Sequence, residues 1–376
     1  MRAYSATSDG CEAKKHLHAR GKRLVRWPSR LQSIAAHGAG VFALHRIHSL
    51  DYLKLGLAVL VAFAHTYWLQ SHMTPRLFMI GNGLMRVMVP AFCIVAGYFL
   101  YSAVARDKGN KWLARVAALY LFWMAVYLPF WLNEVHGLVS LLKTLAWGYF
   151  HLWFMAGILV AGAVILLLRG IARALAPAYE YRILLAAAAV CAATGLVLQY
   201  VALSGIAPIG VKKFSNGLFM CFPFVAIGYL CGRRMARLGM AGLPPRWLVL
   251  AATAAGAGLL MAEAWLVQAW RSDQVMLDIP ISSYVAAPAL FVAVLGTAMP
   301  QPPIRLDPIS AMIYFMHVMA LHLARSLGFE HLGELMLFAL GLPTLAALLL
   351  GRLPIPGFGK DRKRGRGERP RPDPAP

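Results

Sequence analysis

The stretch that decides the reading is "DYLKLGLAVLVAFAHTYWL", residues 51–69. It has the length and greasiness of a membrane span, yet it carries Asp51, Lys54 and His65. Charged and titratable groups in hydrocarbon are costly, and where they occur they usually serve function. A helix turns about 100° per residue, so Lys54 and His65, eleven positions apart, come round to the same face. At ~1.5 Å rise per residue they lie roughly 16 Å apart along the axis. Asp51 falls on nearly the same stripe, and Ala58, Val61 and Ala62 fill the stripe between Lys54 and His65. The span thus presents a charge pair at one mouth and an imidazole deep inside. Two readings fit that geometry: a snorkelling Lys with its Asp partner and a hydrogen-bonded His, or a proton-handling imidazole served by a basic mouth.

Outward from this span the pattern repeats. The 376 residues are 60% hydrophobic and 14% charged, with a mean hydropathy of +0.61. Runs of about 20 apolar residues define spans. Ten occur here: 51–70, 77–104, 112–132, 151–168, 183–204, 214–232, 247–270, 283–299, 309–327 and 332–350. Continuous rather than alternating apolarity selects helices over a barrel. The expectation is an all-α polytopic bundle of about ten transmembrane helices. Residues 1–45 read as a basic N-terminal segment without a cleaved signal peptide, 46–350 as the membrane domain, and 351–376 as a Pro/Gly/Arg-rich disordered tail.

The net charge of +22 raises the question of nucleic acid, but its distribution points elsewhere. With the N-terminus inside and ten alternating spans, 29 Lys and Arg fall on inside segments and 6 on outside ones. That is the positive-inside bias, and it predicts both termini in the cytoplasm. The excess also suits anionic lipid headgroups, and no nucleic-acid partner is expected. The cysteines Cys11, Cys93, Cys191, Cys221 and Cys231 show neither metal nor disulfide spacing, so no metal is expected.

Other spans carry polar residues. In the second, Asn82, Arg86, Pro90, Cys93 and Gly97 recur at three- and four-residue steps. Arg86, near the expected midplane, needs protein, water or a carboxylate, and Asp51 and Glu263 are the main carboxylates in spans. It reads as a structural pair, or functionally as part of a polar cavity or an oxyanion donor. Lys108, Lys111 and Arg115 form a basic cluster after this span, as a positive-inside loop or a phosphate-binding ligand site would. His151 lies in an aromatic belt with Tyr149, Trp153 and Phe154, behind an amphipathic loop, 133–150, able to cap a cavity. Ser310, Tyr314 and His317 share a face of the ninth span. Pro223 and Gly228 suggest a kink in the sixth.

Taken in order, "RIHSLDYLKLGLAVLVAFAH", "RVMVPAFCIVAGYFL", "KWLARV", "HLWFM", "SNGLFMCFPFVAIGYLCG" and "ISAMIYFMH" resemble the acyltransferase 3 family of integral-membrane O-acyltransferases, and within it the surface-polysaccharide O-acetyltransferases. The likeness covers roughly residues 46 to 350. Its most specific element is a basic residue, ten residues and a His, here Lys54 and His65.

The resemblance implies an enzyme of the bacterial inner membrane that transfers an acyl group, usually acetyl, from cytoplasmic acyl-CoA to a hydroxyl of a carbohydrate acceptor. It carries the essential catalytic His over to His65, as general base or acyl relay. CoA binding carries over to Lys111 and Arg115, with Lys108 nearby and Lys54 guiding the donor arm, and the second-span Arg carries over to Arg86. On this reading Arg86 or Tyr314 stabilises the oxyanion, His317 joins the catalytic set, and Asp51, Asn82, Tyr98 and His151 support it. The family's Ser-Gly-aromatic element reads Ala96-Gly97-Tyr98 here, which removes a serine hydroxyl and keeps the glycine and the aromatic. A transporter or flippase for a lipid-linked sugar is the competing class; it would need no CoA-binding mouth.

Overall fold

A computed structural model describes residues 47–68, 75–271 and 276–351. The expected basic N-terminal segment and the tail from 352 lie outside the described residues. Among those described there is helix but no strand. Twelve helices of eight or more residues follow one another: α1 His48–Trp68, α2 Pro75–Asn82, α3 Met88–Val104, α4 Gly109–Val126, α5 Leu138–Trp147, α6 Trp153–Leu175, α7 Glu180–Ser204, α8 Phe222–Leu238, α9 Arg246–Arg271, α10 Ser283–Leu295, α11 Leu306–Ser326 and α12 Leu332–Leu350.

All ten expected segments are mainly helical where they fall on described residues, and the described residues give 8 helices long and apolar enough to cross a membrane. A ninth is a bent pair, Gly109–Val126 with Leu128–Glu134, at 64°. The bend has a cause in Pro129, which cannot donate a backbone hydrogen bond to the preceding turn. The remaining segment, α10, is apolar but only 13 residues long. At ~1.5 Å per residue that is about 20 Å, short of a ~30 Å hydrocarbon core.

The helices divide into an inner and an outer set. In the span Phe78–Val104, 67% of the most apolar window is buried in protein, against 22% for the spans of α7, α9 and α12. The inner set is drawn together by close backbone approach. A Cβ on Gly97 of α3 would stand 1.9 Å from the Val225 carbonyl, and one on Gly228 of α8 would stand 1.9 Å from that of Ile94. Between membrane helices small residues supply packing that hydrophobicity cannot. This corrects the kink expected at Pro223 and Gly228. Pro223 sits in the first turn of α8, where no helical N–H is lost, and Gly228 is a contact point. The irregularity lies just before, in a π-turn Gly217–Cys221 capped by the Asn216 side chain.

Candidate active site

The site is built on α1 and α11, which pack along one another. They touch at two levels. At one, the Lys54 ammonium bonds the carboxylate of Asp307 and lies 3.1 Å from Asp51 Oδ1. At the other, His317 Nε2 lies 3.2 Å from His65 Nδ1. From Lys54 to His65 is eleven residues and from Asp307 to His317 is ten, about 16 and 15 Å of helix. The helices therefore run parallel and in register, pinned once by ions and once by imidazoles.

The hydrogen bonds fix the tautomers. His317 Nδ1 faces two carbonyls, Ile313 O at 3.0 Å and Tyr314 O at 2.8 Å. Carbonyls only accept, so Nδ1 carries the proton and Nε2 of the neutral ring offers a lone pair. His65 Nδ1 faces that lone pair and the Val61 carbonyl at 2.9 Å. It too must donate, which leaves His65 Nε2 unprotonated and basic. Among the described residues no group bonds that nitrogen. His65 is half-buried and His317 fully buried.

A third imidazole closes the cluster. His151 is buried, its ring 5.0 Å from that of His317 and 5.2 Å from that of Tyr127. Neither of its ring nitrogens has a hydrogen-bond partner of good geometry among the described residues. The Phe315 carbonyl beside it already accepts the Tyr127 hydroxyl at 2.7 Å. Tyr314 does not aim its hydroxyl at the His65–His317 contact. It donates to the His151 backbone carbonyl at 2.7 Å, holding the corner that carries this third ring. Phe150 lies on the other side, its ring 5.2 Å from that of His65. The preceding amphipathic loop contains helix α5, whose Leu138, Val139 and Leu142 are exposed.

Other expected residues lie elsewhere. Arg86 sits on a 3-10 turn, Leu84–Val87, between α2 and α3. Its Nη1 is 3.3 Å from Asp278 Oδ1, and its Nη2 is 3.2 Å from Asn82 Oδ1. Asn82 also accepts from Leu277 N at 2.7 Å. The carboxylate partner is thus Asp278, in the connection before α10, rather than Asp51 or Glu263. Burial raises the Asp278 carboxyl above its ordinary pKa, against the pull of Arg86. The same connection is stitched by Gln199 to both the N–H and the C=O of Ile279. Glu263 accepts from Ile281 N and Ser282 N at 2.7 and 2.8 Å. Arg86 and Asn82 therefore staple a loop. Tyr98 is buried against Phe291, in the inner packing.

Lys108, Lys111 and Arg115 are exposed at the start of α4. Gly109 packs there on Leu166 of α6. The neighbouring Arg169 and Arg173 are each 3.5 Å from Glu180, so their charge is partly matched. Lys54 differs from this exposed cluster in being ion-paired within the bundle. Among the described residues no three His, Cys, Asp or Glu side chains gather as metal ligands.

Sequence reasoning missed Asp307, Asp278, Tyr127 and Phe150. A signal existed for Asp307: its ten-residue spacing from His317 nearly repeats that of Lys54 and His65.

A helical membrane bundle holding a basic imidazole between two pinned helices has the parts of a membrane-embedded group-transfer enzyme. Comparison with known proteins identifies the class. A family model described as an acyltransferase domain, Acyl_transf_3, matches residues 47–352. The chain belongs to the acyltransferase 3 family and is an integral-membrane protein. Over 154 residues it is 31% identical to an amino-acid racemase of Enterococcus faecalis, an alignment covering 36% of this chain and 22% of that protein. The chain thus spans about a fifth of the length of the curated relative it matches. No solved structure matches.

Proposed function

We propose that this acyltransferase moves an acyl group, acetyl in the first instance, from cytoplasmic acyl-CoA to a hydroxyl of a cell-envelope carbohydrate, with His65 as general base. The observation that carries the reading is the fixed tautomer of His65. Its Nδ1–H is held by Val61 O and His317 Nε2, so Nε2 is the nitrogen available to take a proton. In the step, Nε2 removes the acceptor's hydroxyl proton while that oxygen bonds the thioester carbon. The carbon–sulfur bond then breaks, and the thiolate leaves with the proton from the imidazolium. His317 acts through His65: its lone pair receives the Nδ1–H more strongly once His65 is cationic. General base catalysis of this kind contributes about 10²–10⁴-fold.

The donor's phosphates are assigned to Lys108, Lys111 and Arg115. These charges are exposed, and they lie where the first N–H groups of α4 also favour an anion. Lys54, with two carboxylates on its ammonium, is assigned to holding the register of α1 and α11 and not to the donor arm. The positive-inside distribution supports placing the basic mouth, and both termini, on the cytoplasmic side. The imidazoles then lie about 16 Å deeper along α1, toward the outer leaflet, where an envelope carbohydrate would meet them.

The test is His65→Ala in purified membranes supplied with acetyl-CoA, following O-acetylation of envelope glycans by mass spectrometry. A loss of at least about a hundredfold is expected; full activity sinks the assignment. Binding of acetyl-CoA, lost in Lys111→Ala/Arg115→Ala, separates this reading from a flippase.

A further inference from the structure

The corner between α5 and α6 is strained, and it delivers a ring to the site. Gly148 has φ +79° and Phe150 has φ +40°. Glycine takes that region freely, whereas a phenylalanine adopts it only under strain. The strain does not bury Phe150 fully: it remains 48% exposed while its neighbours His151 and Leu152 are 4% and 0% exposed. What the conformation achieves is placement. The Phe150 ring lies over His65 at 5.2 Å and 57°, beside the imidazole whose Nε2 carries no hydrogen bond among the described residues. An aromatic belt would put a phenylalanine at the interface without any unusual backbone.

We propose that Phe150 is a specificity-determining residue, the cover that keeps water off His65 and so makes the enzyme choose a carbohydrate hydroxyl over hydrolysis. This rests on His65 being the base. A base able to activate a hydroxyl can equally activate water, and sites that handle reactive acyl donors must exclude it. Hydrolysis would balance as transfer does. His65 Nε2 takes a proton from water, the water oxygen bonds the acyl carbon, the carbon–sulfur bond breaks, and the CoA thiolate takes the proton, giving free acid and thiol. A half-exposed ring can be displaced by a sugar that brings its own apolar face. A water molecule has no such face to exchange for the contact.

The experiment uses the full chain in nanodiscs with acetyl-CoA and no acceptor, reading free thiol release. Phe150→Ala is expected to raise hydrolysis about tenfold or more over wild type, while Phe150→Trp, which keeps an aromatic cover, stays near wild type. Should the Ala variant fold poorly by thermal melting, Phe150→Leu gives the same comparison with side-chain bulk retained, and an intermediate rise is expected. In His65→Ala/Phe150→Ala the gained hydrolysis is expected to vanish. Unchanged hydrolysis in folded Phe150→Ala and Phe150→Leu overturns the proposal, as does a gain that survives loss of His65. The single His65→Ala variant, assayed for acceptor transfer, reports separately on the base assignment.

Discussion

The two ends of the α1–α11 pair make the same connection with opposite chemistry. At one end, Lys54 is held between the carboxylates of Asp51 and Asp307. At the other end, His65 and His317 meet as rings whose hydrogen-bond partners are backbone carbonyls and each other. Ion pairs supply fixed geometry, and imidazoles supply protons that can move. The pair keeps these tasks about three turns apart. A carboxylate placed directly on His65 would favour its charged form before any substrate arrived. Anchoring the helices at a distance sets the imidazole geometry without that bias.

This contrast can be broken at the ionic end first, where the largest effect is expected. Asp307→Lys sets two ammonium groups against each other across the helix pair and is expected to cut transfer by more than about a hundredfold, since small misplacements at a reacting centre cost that much. Exchanging the charges, Lys54→Asp with Asp307→Lys, sets the relocated ammonium on α11 against the carboxylates of α1, the introduced one and that of Asp51. It is expected to recover activity to within about tenfold of wild type. A Lys54 that touched the donor directly would not be rescued. Failure of the exchange in a folded protein therefore returns Lys54 to the donor-binding set.

The imidazole end gives a smaller, graded effect. His317→Phe removes the lone pair that receives His65 Nδ1–H. It is expected to lower kcat by about ten- to a hundredfold with KM for acetyl-CoA little changed, the pattern of an interaction made mainly in the transition state. Glutamine can offer its carbonyl oxygen to the same N–H, so His317→Gln is expected to lose less than about tenfold. Equal losses in the two variants would mean that His317 packs and does not act through its nitrogen.

Much of this was legible in the sequence because it depends on helical periodicity. The stripe of Asp51, Lys54 and His65, and that of Ser310, Tyr314 and His317, follow from about 3.6 residues per turn, and each apolar segment is helical as expected. What was hidden depends on contacts between distant segments or on backbone angles. Asp278 lies 192 positions from Arg86, in a connection whose burial no local pattern announces. The left-handed turn at Phe150 was invisible because phenylalanine, unlike glycine, does not advertise it. Gly228 read as a helix breaker because sequence shows the glycine but not the α3 backbone it admits. Family resemblance supplied the role proposed for His65, whereas the partnership with His317 came only from the two helices lying side by side.

The smallest effect sharpens the contrast from a third place. Arg86 and Asp278 also form an ion pair, but theirs fastens a loop to the 3-10 turn and does not set the register of α1 and α11. Burial raises the Asp278 carboxyl above its ordinary value and Arg86 only partly offsets it, so the folded protein holds that proton more readily than the unfolded chain. The sign follows: the contribution of Asp278 is full below the ordinary carboxylate range near pH ~4 and is eroded as pH rises through the raised value. Asp278→Asn has no proton to lose and can still accept from Arg86. Wild type should therefore melt with Asp278→Asn at low pH, where both side chains are neutral, and fall below it by about one or two degrees as pH rises. A wild type that gained on Asp278→Asn as pH rose would mean that the Arg86 charge outweighs burial. Acetyl transfer by Asp278→Asn is expected to stay within about threefold of wild type, because the pair secures a loop and leaves the His65–His317 geometry in place.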